Sequence, residues 1–415
     1  MARGFNDVRV DGQRLWDSLM RMAEFGAIPK GGCNRETLTD DDAKARRSFI
    51  ESCREIGCII QVDRIGNIFA RREGRSNELP PVLIGSHLDT QPTGGRFDGV
   101  FGVLSGLEVL RTLESRGIQT DHPIEVVNWT NEEGSRFPPA MMGSGVWAGV
   151  FDLDEIYATA DKAGRRVGEE LKRIGFMGDL PAKSRPLKAA FEIHIEQGPI
   201  LEAAGVSIGV VTGIQGLRWY DLTITGKACH AGPTPMSARR DPFMAAGPIL
   251  RGCYALAERF APWGRVKFGD IRAKPGSRNT VPERLEISVD MRHPDAATLD
   301  TMDAEFRKLV ESECSARNLG SEVSELWHMP ATQFDRSCIE VVRAAAQALG
   351  YSHMEMVSGA GHDSLYVARV APTSMIFVPC KDGLSHNEEE HASLEDLERG
   401  ANVLLQSVLS VAVAA

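Results

Sequence analysis

The chain has 415 residues, enough for about two or three domains with sizeable cores. It carries 57 acidic against 47 basic residues, a formal net charge of −10, which argues against a nucleic-acid binder. The longest apolar stretch, residues 403–415, contains Gln406 and falls short of the roughly 20 residues a membrane span needs, so no membrane association is expected. Met1–Leu15 carry charges throughout, so no secretory signal is expected. Eight cysteines lack C-x-x-C spacing and are expected to be reduced, mostly buried thiols of a cytoplasmic protein.

In chain order, Pro81–Ser86 reads as a buried strand. Gly99–Arg116 reads as a helix, with Val100, Val103, Leu104, Leu107, Leu110 and Leu113 at helical spacing. Pro123–Thr130 and Phe191–Ile195 are further strands. Residues 213–329 follow their own pattern. A strand at Leu217–Thr225 precedes a helix at Pro242–Phe260 and strands at Arg265–Ile271 and Arg284–Arg292. A helix at Ala296–Ala316 and a strand at Ser321–Trp327 complete a β-α-β-β-α-β, ferredoxin-like order. Pro372–Pro379 is a late strand, and Ser393–Val413 a closing buried helix with Ser393 as N-cap. The whole predicts an α/β protein: a mostly parallel sheet covered on both faces, formed by 1–212 and 330–415, with 213–329 inserted. Gly213 and Gly216 at the junction fit a hinge or a plain turn.

The chemistry-bearing residues sit at strand ends. His87 closes the first strand in Gly85-Ser86-His87-Leu88-Asp89-Thr90, where it can offer a ring nitrogen to a metal while Asp89 orients the other. Asp98 stands before a helix; it reads as an N-cap or as a carboxylate bridging two metals. Glu132 and Glu133 follow a strand, either as a solvated acidic turn or as a metal ligand beside a proton acceptor. His194 lies in an apolar strand and His386 in a loop after the last strand. Together His87, Asp98, Glu133, His194 and His386 supply the nitrogen and oxygen ligands a two-metal site needs, without a thiolate, which favours Zn, Mn, Co or Ni. His362 and Asp363 read as ties between their loop and its helix. No G-x-S-x-G elbow is present.

The ordered motifs GSHLDTQPTGGRFDGVFGVL, NEEGSRFPPAMMGSG, HIEQGPILE, GIQGLRWY, CHAGPTPMSARRDP, SRNTVP, DMRHPD, SGAGHDS and GLSHNEEE span nearly the whole chain. In them the sequence resembles the hydantoinase/carbamoylase family of binuclear metal amidohydrolases. That family includes N-carbamoyl-L-amino acid hydrolases, bacterial-type β-ureidopropionases and allantoate amidohydrolases. The resemblance implies that His87 and His194 hold one ion, Glu133 and His386 the other, and that Asp98 bridges. It implies Glu132 as general base and His230 as the group that stabilises the oxyanion in the partner subunit's site. It further implies that Arg292 clamps the substrate carboxylate, that Asn279 and Gln197 bind the substrate, and that the Gly359–Ala360 backbone lines the pocket. Exopeptidase relatives usually carry an acid where His194 stands, which favours the carbamoylase branch. The expected substrate is a small ureido carboxylate, and the expected assembly a homodimer through residues 213–329. The expected activity is removal of the carbamoyl group of N-carbamoyl amino acids, giving the amino acid, CO2 and ammonia; allantoate hydrolysis is the alternative, followed by an aminoacylase or dipeptidase activity.

Overall fold

The computed structural model describes Phe5 and residues 7–413. Residues 1–4, 6, 414 and 415, on which parts of the charged N-terminal stretch and the C-terminal apolar run fall, lie outside the described residues. The strands before residue 215 are β1 (Ile59–Val62), β2 (Ile68–Arg72), β3 (Val82–His87), β4 (Ile124–Trp129), β5 (Ala189–Ile195) and β6 (Ile208–Ile214). The next six are β7 (Gly216–Thr225), β8 (Cys229–His230), β9 (Arg265–Lys274), β10 (Thr280–Val281), β11 (Arg284–His293) and β12 (Gly320–Met329). The last are β13 (Thr332–Gln333), β14 (His353–Ser358) and β15 (Thr373–Val378). The chain forms two compact units, one of them Ile214–Thr332 and the other the remainder.

The larger unit is built on a sheet in the order β1-β2-β4-β3-β5-β15-β6-β13, with β14 also on β6. Its centre is parallel: β3 pairs β4 and β5, and β5 pairs β15. Every residue of these four strands is buried. Runs such as VLIGSH and TSMIFV suit that position, because a parallel strand is covered on both faces. The flanks are antiparallel, at β1–β2, β2–β4 and β15–β6, so the expected parallel sheet is the middle of a mixed one. On one face lies helix Val100–Ser115, whose Gly106 sits against Ile84 and Val126. On the other, Leu83, Val127, Trp129 and Ala190 pack with Trp147 and Val367. The closing helix Leu394–Ala412 is capped by Ser393, whose side chain accepts from the Asp396 N–H, and buries most of its apolar residues.

The smaller unit has an antiparallel sheet in the order β12-β7-β11-β9. With helices Phe243–Arg259 and Ala296–Ser315 the chain order is β-α-β-β-α-β. β11 alternates: Leu285, Ile287, Val289 and Met291 enter the core with Tyr220, Leu222, Ile249, Met302 and Phe306. Glu286, Ser288, Asp290 and Arg292 take the opposite face. β8 and β10 form a separate ribbon, with His230 opposite Thr280.

No helix of the described residues is long and apolar enough to cross a membrane. All eight cysteines are free thiols; seven are buried and Cys229 is half-buried.

Candidate metal centre and active site

The candidate residues of the larger unit gather at the C-terminal ends of β3, β4, β5 and β15, where open α/β sheets place their ligands. His87 is the last residue of β3, and His194 the last but one of β5. Glu132 and Glu133 follow β4, and His386 lies on the loop after β15 with a left-handed φ of 54°. Asn131 and Gln197 also have positive φ, both 57°, so the backbone is bent at three of these strand ends. Asp98 precedes helix Val100–Ser115, but the cap position belongs to Gly99, with φ 67°. The Asp98 side chain makes no cap bond, which corrects the N-cap reading and leaves its carboxylate for the site. A Cβ on Gly99 would stand 2.2 Å from His87 Nε2, so only glycine admits the imidazole here.

Two groups of ligand atoms result. His87, Asp98 and His194 form one, and Asp98, Glu133 and His386 the other; within each, the atoms lie within 4.8 Å of one another. Asp98 belongs to both. Its Oδ1 is 3.1 Å from His194 Nε2 and 3.7 Å from His87 Nε2. Its Oδ2 is 3.4 Å from His386 Nε2, which is 3.3 Å from Glu133. The first group is buried, whereas the His386 side chain is 52% exposed, so the second group faces solvent. Glu132 belongs to neither group and lies 3.5 Å from His87 Nε2.

Neighbouring groups hold the ligands. His194 Nδ1 bonds the Ile195 carbonyl at 2.9 Å, and the Gly99 N–H donates to Nε2 at 3.0 Å. The carbonyl calls for a proton on Nδ1, which makes Nε2, beside Asp98, the ring nitrogen turned to the site. His87 Nδ1 bonds the Asp89 backbone carbonyl at 2.9 Å, while the Asp89 carboxylate is 3.8 Å away. Asp89 thus meets the His87 ring through its backbone carbonyl, with its carboxylate further off. That carboxylate also accepts the backbone N–H groups of Glu132 and Glu133, each at 3.3 Å, and so anchors the acidic pair. Gln91 donates to both oxygens of Glu133, at 3.1 and 2.8 Å. Gln197 Nε2 donates to Asp98 at 2.8 Å, and its Oε1 is buried without a hydrogen-bond partner.

The donor set fits a cation. Asp89, Asp98, Glu132, Glu192, Asp363 and Glu390 are all buried, and the Glu133 side chain is 4% exposed. Burial, then the charges of their acidic neighbours, push Glu132 and Glu133 well above the usual carboxylate range. Asp98 goes the other way. Burial works against it, but the hydrogen bond and charge of His194, then His87 and His386, hold it well below that range. Burial lowers His87 to about 4. Against its own burial, His194 is pushed up to about 9 by the bond and charge of Asp98. Asp98 thus favours positive charge at the His194 Nε2, which a divalent ion held there would supply.

His362 and Asp363 are buried beside the ligands and outside both groups. His362 Nε2 is 3.0 Å from Ser358 Oγ, and Asp363 accepts from Ser144 of helix Met142–Trp147. Asp363 therefore ties its loop to a helix other than the one that follows it. Gly359 is exposed, and the Ala360 N–H donates to Ser358 Oγ at 3.1 Å. In the smaller unit, His230 is in β8 and Asn279 immediately precedes β10, where the Ala231 N–H donates to the Asn279 carbonyl at 2.8 Å. Arg292 is paired with Asp290, at 2.8 Å from Nη2. Two supporting acids were missed in the sequence. Glu192 accepts from Ser86 and Ser364, each at 2.6 Å, and Glu390 accepts from the N–H groups of Phe97 and Asp98. The signal for Glu192 was an acid in an apolar strand, two residues before His194.

A parallel-centred sheet with two nitrogen–oxygen ligand groups joined by one carboxylate, and a further acid beside them, is the layout of a metal-dependent hydrolase. The chain belongs to peptidase family M20/M25/M40, whose model matches residues 83–410. It is 49% identical over 412 residues to a Rhizobium meliloti protein named N-carbamoyl-L-amino-acid amidohydrolase, covering 99% of each chain. A Geobacillus stearothermophilus protein of the same activity name is 40% identical, with 97% of this chain and 99% of that one covered. Among solved structures, an amidase of the hydantoinase/carbamoylase family from Burkholderia multivorans superposes with a TM-score of 0.95 at 52% identity. That match covers 98% of this chain and 99% of the other.

Proposed function

We propose that this chain is a metal-dependent amidohydrolase that removes the carbamoyl group of N-carbamoyl amino acids. The observation that carries the reading is the pair of ligand groups sharing Asp98, with Glu132 outside both, in a chain whose full-length relatives bear that activity name. The products are the amino acid, CO2 and ammonia.

In this reading His87 and His194 would hold one divalent ion and Glu133 and His386 a second, with Asp98 shared between them. Zinc is assigned, with Mn, Co and Ni as ions the same donors accept. When bound, such ions supply Lewis acidity, polarising the ureido carbonyl and lowering the pKa of water. Glu132 takes the proton of the attacking water and delivers it to the leaving nitrogen as the C–N bond breaks. One water is thereby added to R–NH–CO–NH2, giving R–NH2 and carbamic acid, which falls to CO2 and ammonia. His230 is assigned to the carbonyl oxygen as it gains charge, a role worth about 3–4 kcal/mol per donor. Arg292 is assigned to the substrate carboxylate, with Asp290 holding the Nε–Nη2 edge of its guanidinium. Asn279, Gln197 and the Gly359–Ala360 backbone are assigned to the remaining polar contacts.

Residues 1–212 and 330–415 are assigned as the catalytic domain, and 213–329 as the lid and dimerisation domain. A solution mass of one chain, 45.3 kDa, would remove the dimer assignment. The free, mostly buried thiols suit a cytoplasmic location. The test is a substrate panel with added divalent ions: N-carbamoyl, N-acetyl and dipeptide forms of one L-amino acid, N-carbamoyl-β-alanine and allantoate. Turnover of the N-carbamoyl-L-amino acid above the others is expected. Turnover confined to the acetyl or peptide forms would overturn the reading.

A further inference from the structure

One side chain outside both ligand groups joins the loop that carries Asp98 to the loop that carries His386. Glu390 is 4% exposed. Its Oε1 accepts the backbone N–H of Phe97 at 2.9 Å and that of Asp98 at 3.1 Å. Its Oε2 is 3.2 Å from Ser385 Oγ, which lies 2.8 Å from Asp98 Oδ2. An anionic oxygen shared by two successive N–H groups makes strong bonds and fixes the peptide between them, and with it the direction of the Asp98 side chain. On its own loop, the Glu390 N–H donates to the Asn387 carbonyl at 3.1 Å, closing a turn that begins one residue after His386, while Ser385 on its other side faces the Glu390 carboxyl. The Asp98 loop is shaped around this acid: a Cβ on Gly95 would stand 2.1 Å from the Glu390 carboxyl. His386 needs such a tether, because it is half-exposed and sits on a loop, whereas His87 and His194 are buried in strands.

We propose that Glu390 is a positioning residue that sets the spacing between Asp98 and His386, and so fixes the affinity of the ion position formed by Asp98, Glu133 and His386. The inference rests on the metal assignment above. It makes the two ion positions unequal in a stated way. The buried position takes His87 and His194 from two strands and meets the tether only through Asp98, whereas the open one depends on it through both Asp98 and His386.

The test is ion binding by the full chain, measured as ions retained per chain by elemental analysis against buffered zinc, with thermal melting alongside. Glu390→Ala should bind the second ion about 10- to 100-fold more weakly and the first, which shares only Asp98 with the tether, with a smaller loss. Glu390→Gln keeps an oxygen for the two N–H groups and should recover most of that loss. Gly95→Ala leaves every acid in place but drives a methyl into the Glu390 carboxyl, so it should weaken the same ion. It also carries the test where Glu390→Ala does not fold. The double variant should be no weaker than Glu390→Ala alone, because both changes break one tether. Equal weakening of both ions, or none, in Glu390→Ala and Gly95→Ala overturns the proposal, as does additive loss in the double variant. A wild-type chain that binds no divalent ion overturns the metal assignment itself, and this inference with it.

Discussion

Replacing Glu132 by Gln removes one negative charge and keeps the shape of the side chain. Its backbone is anchored independently of that side chain: the N–H donates to Asp89 at 3.3 Å, and the carbonyl accepts from Met141 at 2.7 Å. Glu132 is in neither ligand group, so Glu132→Gln is expected to retain its ions. Burial and the charges of Asp363, Glu133, Asp98 and Asp89 disfavour a carboxylate at this position, so a neutral amide there should not lower the melting temperature. The loss is then confined to proton transfer. General acid–base catalysis contributes about 10²–10⁴-fold, or about 3–5 kcal/mol of barrier. The assay pairs ammonia release from an N-carbamoyl-L-amino acid with ion content and melting of the same sample. Activity within about tenfold of wild type would refute the reasoning, given that base catalysis should supply at least about 10²-fold. Loss of an ion along with the activity would refute it too, because it would make Glu132 a ligand.

Further outcomes follow from the same geometry. Gly99→Ala should lose the ion held by His87, because its Cβ would stand 2.2 Å from the ring nitrogen and its φ of 67° strains any side chain; ion content at wild-type levels would contradict this. Phe306→Ala empties the core of the smaller unit, where the ring is fully buried 5.3 Å from that of Tyr220. It should cost about 3–5 kcal/mol in urea unfolding, and a cost below about 1 kcal/mol would count against the packing described. Native alkylation should modify Cys229 first, since the other seven thiols are buried and burial pushes Cys253 and Cys338 each up to about 12. Faster labelling of any buried thiol in peptide mapping would contradict that order.

The sequence made the site legible where chemistry and periodicity coincide. Apolar runs that reach His87 and His194, and one that stops just before Glu132, announced buried strands with polar tips, and the structure brings those tips to one sheet edge. The β-α-β-β-α-β order was readable because β11 alternates cleanly and Asp295 caps the helix after it. Less was legible before residue 80. Helix Asp40–Glu55 carries its own start signal in Thr39 and three aspartates, yet its pattern is read less readily than the long apolar runs. The antiparallel edge β1–β2 is set by pairing with β4, which local sequence does not encode. Asp98 as a cap was a sound local reading overridden by Gly99. Asp89 and Glu390 act on backbone N–H groups 43 or more residues away, so their partners depend on the completed fold.

The most direct measurement is anomalous diffraction from crystals of the protein grown with zinc or manganese. Two peaks about 3.5–4 Å apart are predicted, as in two-metal hydrolases, both beside Asp98. One should lie at His87 and His194, the other at Glu133 and His386. A single peak, or peaks that do not share Asp98, would contradict the account.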